Sequence, residues 1–196
     1  MPHFSRVKCG IFVALLYIQF IKLMKISDIT PDEYAPYQEE AYIHLVNPEY
    51  SLTEELEISV HNLTHFVREI PMDKYDYRYA EGKWTIKDIL QHVIDSERIF
   101  AYRALRFSRN DNTPLPGFDE NSFAANTDAT KRSINDLLTE MSAVRHANIM
   151  MFKSFTQDEL LRKGTASGYT VSVRALGFLL IGHQNHHIKI FKERYL

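Results

Sequence analysis

The chain has 196 residues, of which 45% are hydrophobic and 24% are charged, and its formal net charge at pH 7 is -2. A chain of this length and composition can bury a hydrophobic core without disulfide bonds, so we expect one main domain. The near-neutral charge, with 23 basic and 25 acidic residues, disfavours binding to nucleic acid or to an anionic membrane surface. Only seven glycines and seven prolines are present, and long stretches free of both predict an all-α fold.

Residues 1–23 differ from the rest of the chain. Two basic residues precede an apolar run at 11–21, which is similar to the start of a signal peptide but too short to span a bilayer. Because the small residues of a cleavage site are missing, we interpret this segment as an upstream extension with Met24 as the natural first residue. A targeting segment is the alternative. We therefore expect a cytoplasmic protein, and because Cys9 is the only cysteine, the chain after this segment offers no thiol nucleophile.

The remaining chain divides into two parts. Residues 24–50 contain three prolines and are predicted to wrap the domain as loops and short turns. Residues 51–196 contain four long segments in which apolar residues recur every three or four positions, as on a helix packed against a core. This pattern predicts a four-helix bundle, with helices at about 52–70, 85–108, 131–155 and 172–196.

Residues 109–129 separate the second and third predicted helices. The segment is rich in Asn, Asp, Pro and Gly, which indicates a loop, and loops of this length are uncommon in compact domains. A long connection allows two consecutive helices to run parallel, whereas short loops force antiparallel neighbours. We therefore predict a long crossover between helices two and three. A short capped turn is predicted at 156–161, closed near Gly164.

The fourth helix carries two histidines on its apolar face. His183 and His187 are one helical turn apart, and Leu180 and Ile190 continue the same face. Buried imidazole nitrogens without partners are unfavourable, whereas histidines at positions i and i+4 can bind one metal ion together. The pair therefore predicts a metal site. His186 flanks this face and is a lesser candidate, either for contact with the ligands or for the surface.

Other histidines provide a comparison within the same chain. His61 and His65 have the same i, i+4 spacing, but they lie opposite the apolar face of the first helix. We expect both to face solvent. His146 also points away from the apolar face of its helix. Spacing alone is therefore not a sufficient criterion, and the face on which a histidine lies carries the prediction.

His92 lies at the edge of the apolar face of the second helix. A lone histidine in such a place is usually only hydrogen-bonded, but the inward-facing pair favours a third metal ligand. Three histidines would leave a coordination position for water or substrate, which is typical of catalytic rather than structural metal sites. Zinc, nickel, copper and iron all suit imidazole ligands, so we expect one divalent ion without specifying which.

Two charged residues occupy unusual positions for solvated helices. Glu97 lies within the apolar arc of the second helix, and Arg145 lies on the apolar face of the third. Buried charges generally require partners, so we hypothesise a Glu97–Arg145 ion pair. The alternative is that each lies near a bundle end and extends its charge to water. Arg103, on the second helix, is a further candidate for a structural or supporting role near the site.

Three separated segments carry a family resemblance: residues 83–111, 115–123 and 163–196. They resemble the DinB-like superfamily, and the resemblance covers most of residues 50–196. It implies a four-helix bundle in up-down-down-up order. It also implies that a histidine of the second helix and the H-x-x-x-H pair of the fourth bind the metal, which identifies His92, His183 and His187.

The resemblance also implies an activity. Relatives in that superfamily include enzymes that transfer a low-molecular-weight thiol to an electrophile, so we expect either such a transfer or metal-assisted hydrolysis of a small molecule. The alternative is a non-catalytic bundle that binds metal or forms dimers. The resemblance favours a homodimer, and neither a nucleic acid nor a membrane is an expected partner.

Overall fold

The computed structural model of the protein describes residues 24–196, and the interpretation of residues 1–23 as an extension or targeting segment lies outside this part. The described chain forms seven helices, several short 3-10 turns and one β-hairpin. The helices are α1 Pro36–Ala41, α2 Leu52–Arg68, α3 Ile86–Ser108, α4 Glu120–Ala125, α5 Ile134–Ser154, α6 Gln157–Leu161 and α7 Val173–Arg194, and the strands are β1 Lys163–Ala166 and β2 Tyr169–Ser172.

The four long helices α2, α3, α5 and α7 form the predicted bundle, in which α5 and α7 each pack against both α2 and α3. Helices α2 and α7 run in the same direction, because Phe66 stacks on Phe191 near their two C-terminal ends. Helix α3 runs opposite to α7, since the hydroxyl of Tyr195, after α7, donates to the carbonyl of Trp84, before α3. Within residues 24–196, no helix is both long and apolar enough to cross a membrane.

The long connection between α3 and α5 makes these two helices parallel. Arg132, just before α5, donates to the Gln91 side chain near the start of α3 at 2.6 Å. At the other end, the Arg109 guanidinium lies over the ring of Phe155, 5.7 Å from its centroid. The chain therefore returns along the bundle between these helices, and the order is up-down-down-up, as expected. The return segment includes α4, which apolar periodicity did not predict.

The helix starts agree with the capping residues of the sequence. The Thr85 hydroxyl accepts a hydrogen bond from the Asp88 amide at 3.0 Å, and the Asp88 carboxylate accepts one from the Thr85 amide at 2.9 Å. The same reciprocal pair joins Thr156 and Glu159 at the start of α6. These bonds satisfy amides that have no partner within the helix.

The β-hairpin between α6 and α7 adds to the predicted all-helical fold. Sequence reasoning expected only a turn closed near Gly164, because four-residue strands are too short to show alternation. Gly164 lies against the ring of Phe107, where a Cβ would come within 2.2 Å of ring atoms. Ser167 and Gly168 have positive φ values of 52° and 83° and form the turn between the strands.

Candidate metal centre

Three imidazoles from two helices meet in the bundle interior. The Nε2 atom of His183 lies 3.0 Å from Nε2 of His92 and 3.2 Å from Nε2 of His187. Nitrogens bound to a first-row metal at about 2.0–2.1 Å are roughly 2.9–3.4 Å apart when their bonds make angles of about 90–110°. The observed separations therefore match those of ligands around one ion, and these three buried side chains could hold one.

The positions of the histidines follow from the helix geometry. His183 and His187 are one turn apart on α7, and α3 packs antiparallel to α7 so that His92 faces them. Aromatic rings close the surroundings: the Trp84 ring lies 5.0 Å from the ring of His92, and the Phe100 ring lies 5.7 Å from the ring of His183. These rings cover two sides of the cluster, and none of its three histidines is more than 7% exposed.

Burial keeps these imidazoles uncharged. Desolvation, with a smaller contribution from His186, lowers the pKa of His92 to about 4. Desolvation also lowers the pKa values of His183 and His187 well below the ordinary value for histidine. A neutral ring nitrogen either donates or accepts, so three converging Nε2 atoms cannot all pair with one another. A shared cation would satisfy all three lone pairs, and this donor set therefore fits a metal ion.

The remaining hydrogen-bonding capacity of the cluster is incomplete. Nδ1 of His187 is buried and has no hydrogen-bond partner within residues 24–196. His186 is half-buried, and its ring lies 5.1 Å from that of His187 and 5.5 Å from that of Tyr42. It borders the cluster without joining the three converging nitrogens. His61, His65 and His146 are exposed, as their helix faces predicted.

Glu97 and Arg145 form a buried ion pair next to the histidine cluster, since Arg145 also contacts Gln184, the residue after His183. Arg145 is completely buried, and its Nε and Nη2 atoms lie 2.6 and 2.8 Å from the two carboxylate oxygens of Glu97. The alternative, in which each charge reaches water at a bundle end, is wrong. Arg145 also donates to Gln184, whose amide donates to the Ser59 carbonyl. This network ties α7 to the other three long helices at Gln184, the residue that follows His183.

A cavity of about 250 Å³ opens beside His183. Arg103 lies in its wall, which gives this sequence candidate a definite place next to the histidine cluster. Tyr42 and Glu120 also line the cavity. Sequence analysis missed both because Tyr42 follows the short helix α1 and Glu120 begins the short helix α4, and elements of six residues show no clear periodicity. The wall includes Ala35, Tyr37, Gln38, Phe100, Gly117, Phe118, Ala166, Ser167, Tyr169, Val171, Leu176 and Leu179.

Gly182 allows the segment of residues 24–50 to pack closely against α7 beside the histidine cluster. A Cβ at this position would lie 2.3 Å from the backbone carbonyl oxygen of Tyr42, so only glycine allows this approach. The Tyr42 ring then packs edge-on against the ring of His183, at 5.4 Å between centroids. Residues 24–50 therefore contribute a wall of the site.

These features define the class of protein: a four-helix bundle of up-down-down-up order with three converging histidines beside a small cavity. A profile of the DinB superfamily matches residues 55–191, and the chain belongs to that superfamily. YfiT from Bacillus subtilis, described as a four-helix bundle with an unusual topology, superposes with a TM-score of 0.66 at 17% identity. The match covers 84% of this chain and 90% of YfiT, and it shows the common fold.

Two curated relatives carry the name "putative metal-dependent hydrolase". The protein from Oceanobacillus iheyensis is 21% identical over 140 residues, which cover 70% of this chain and 80% of that protein. The protein from Bacillus pumilus is 27% identical over 125 residues, which cover 60% of this chain and 68% of that protein.

Proposed function

We propose that the protein is a metal-dependent enzyme acting on a small molecule, with His92, His183 and His187 as the ligands of one divalent ion. The observation that carries this proposal is the convergence of three buried, neutral Nε2 atoms beside a cavity. The names of the two bacterial relatives support metal dependence. Zinc, nickel and iron each fit an all-imidazole site.

When bound, a divalent ion held by three histidines supplies a Lewis acid that lowers the pKa of a water or thiol in its remaining coordination position. The chain's own residues prepare the surroundings. None of the three ligands is anionic, so the protein does not offset the charge of the ion. Burial raises the pKa of Tyr42 to about 12, which keeps its hydroxyl protonated in the cavity wall and able to donate a hydrogen bond.

Two reactions fit this site: hydrolysis and the transfer of a low-molecular-weight thiol to an electrophile. The names of the relatives favour hydrolysis. The sequence is equally compatible with a thiol cosubstrate, because the only cysteine, Cys9, precedes residues 24–196. The two reactions differ in one measurable respect, which is whether turnover requires an added thiol.

The test uses protein loaded separately with zinc, nickel and iron(II), assayed with a panel of esters, amides and electrophiles. Each assay is run with and without cysteine and glutathione. We expect turnover that disappears on chelation and in His187→Ala, while His61→Ala, an exposed histidine from an i, i+4 pair, retains it. Turnover without thiol indicates hydrolysis, and turnover only with thiol indicates transfer.

The opposite outcome is equally clear. The enzyme proposal is contradicted if His187→Ala loses metal and thermal stability but turns over every substrate of the panel at the same rate as the wild type. The histidines would then serve a non-catalytic metal-binding bundle. Circular dichroism of both variants checks that the helices remain folded.

A further inference from the structure

Arg103 is a buried cation in the cavity wall. The residue is only 7% exposed. Its Nη2 atom donates hydrogen bonds to the Pro116 carbonyl and to the Ser167 hydroxyl, both at 3.0 Å. Among residues 24–196, no carboxylate forms an ion pair with Arg103. Glu120 lines the same cavity but does not pair with it. A guanidinium remains charged at neutral pH, so this positive charge is not neutralised by the protein.

Two other poorly exposed arginines each have a carboxylate partner, which Arg103 lacks. Arg145 contacts the two carboxylate oxygens of Glu97 at 2.6 and 2.8 Å. Arg174 contacts those of Glu33 at 2.5 and 2.7 Å. Removing a charge from water is costly unless a partner of opposite charge compensates it. Arg103 lacks such a partner, and its position beside a cavity leaves room for one from outside the protein.

The hydrogen bonds of Arg103 hold it ready for a ligand. They hold Nη2 between the crossover at Pro116 and the hairpin turn at Ser167, whereas Nε and Nη1 have no hydrogen-bond partner among the described residues. The guanidinium plane is therefore fixed while donors remain available. Such donors suit carboxylate and phosphate oxygens, with which arginine forms strong charge-assisted hydrogen bonds.

The same cavity reaches the histidine cluster. Arg103 and His183 both line it. The apolar ring of Phe100 lies between them, with its centroid 6.0 Å from the Arg103 guanidinium and 5.7 Å from the centroid of the His183 ring. On α3, Arg103 follows His92 by about three helical turns, and a long helical side chain leans back toward the N-terminus. A ligand that contacts both ends would therefore carry an anionic group separated from its reacting group by a short apolar part.

We propose that Arg103 binds the carboxylate or phosphate group of a small anionic substrate and positions the rest of that molecule toward His183. This inference rests on the proposed function, because the reaction of such a substrate would take place at the metal held by the histidines. Anion binding by Arg103 does not itself require the metal, so the two proposals can be tested separately. The substrate class is small molecules that combine an anionic oxygen group with a site for attack.

The test measures binding to the wild type and to each variant by isothermal titration calorimetry. In the wild type it also follows the side-chain Nε–H NMR signal of Arg103, assigned by its absence in Arg103→Gln. The probes are straight-chain carboxylates from acetate to hexanoate, the alcohols of equal length, and inorganic phosphate, all at constant ionic strength. We expect saturable binding of carboxylate or phosphate at least about tenfold tighter than of the alcohols, because the charged hydrogen bond is lost with the neutral probe. Whichever anion binds tighter identifies the group.

Matched variants separate this effect from general charge and from misfolding. Arg98→Gln removes an exposed positive charge from the same helix and should keep the anion preference. Arg103→Gln should lose it, and Arg103→Lys, which retains a charge, should keep a weaker preference even if the glutamine variant does not fold. Equal binding of acids and alcohols to the wild type overturns the proposal, as does an unchanged preference in a folded Arg103→Gln.

Running the titrations with and without zinc distinguishes the two proposals. An anion preference that persists in a protein with no metal-dependent activity supports the role of Arg103 and contradicts the enzyme proposal. Metal-dependent turnover with no anion preference in the wild type supports the enzyme proposal and contradicts the role of Arg103 in anion binding.

Discussion

At the scale of single residues, the most important property is that burial keeps the three clustered histidines uncharged. A protonated imidazole cannot bind a metal through the same nitrogen, so a ligand must lose its proton first. Because desolvation lowers the pKa of His92 to about 4, this residue is already deprotonated at neutral pH. The folded protein therefore already holds His92 in the uncharged state that metal binding would require.

The lowered pKa of His92 makes the stability of the metal-free protein depend on pH. Histidine in the unfolded chain takes up a proton near its ordinary pKa of 6.5, whereas folded His92 does so only near 4. Between these values the unfolded state binds more protons, so the free energy of unfolding falls as the pH falls from 6.5 to about 4. Urea unfolding of chelator-treated protein across this range measures the slope.

A variant identifies the contribution of the cluster. We expect His92→Gln to show a shallower slope than the wild type, and we expect no change in His61→Gln, because His61 is exposed. An identical slope in His92→Gln would show that the pH dependence comes from other groups.

Single residues also show what a sequence can and cannot predict. Nitrogens of His183, His187 and His92 converge as their helix faces predicted, because side-chain direction follows from position on a regular helix. Arg103 was named only as a candidate for a structural or supporting role, and Tyr42 was missed. Their environment depends on loops, and loop conformation has no period that could be detected in one sequence.

Among the elements, α7 has the most constrained surface. It carries two of the three histidines, and it accepts the N-terminal segment at Gly182. A methyl group there would meet the backbone of Tyr42, which cannot rotate away as a side chain can. Gly177, on the same helix, faces only side-chain atoms of Leu52 and Phe152 at 2.9 Å. The two glycines therefore form a natural comparison.

We predict that Gly182→Ala destabilises the protein by about 1–3 kcal/mol through overpacking and weakens zinc binding by displacing Tyr42 from His183. Gly177→Ala should cost less, since side chains can adjust and alanine favours the helix by about 1 kcal/mol. Thermal unfolding and zinc titration of both variants test this. Equal stability and equal zinc affinity of the two variants would refute the role of the close approach.

The elements also differ in how well sequence reasoning located them. The four long helices were predicted to within a few residues, because each combines a persistent apolar face with recognisable ends. Helix α4 and the hairpin β1–β2 were not predicted. Each has six residues or fewer per element, so tertiary contacts such as Gly164 on Phe107 decide their conformation more than local pattern does.

For the whole molecule, topology creates the site. His92 and the pair on α7 are about ninety residues apart, and they meet because the long return between α3 and α5 places α3 antiparallel to α7. The buried Glu97–Arg145 pair then fixes the helices relative to one another. Breaking such a pair by removing one partner typically costs about 3–5 kcal/mol, so this network strongly restricts alternative packings.

The most direct test of a metal centre is the metal content of the full-length protein, purified without a histidine tag and measured by elemental analysis after exposure to zinc, nickel or iron(II) and removal of free ions. We predict one tightly bound divalent ion per chain in the wild type and in a His61→Ala, His65→Ala double variant, and none in His183→Ala. Wild-type protein that retains none of these metals, or a folded His183→Ala that retains as much as the wild type, would contradict it.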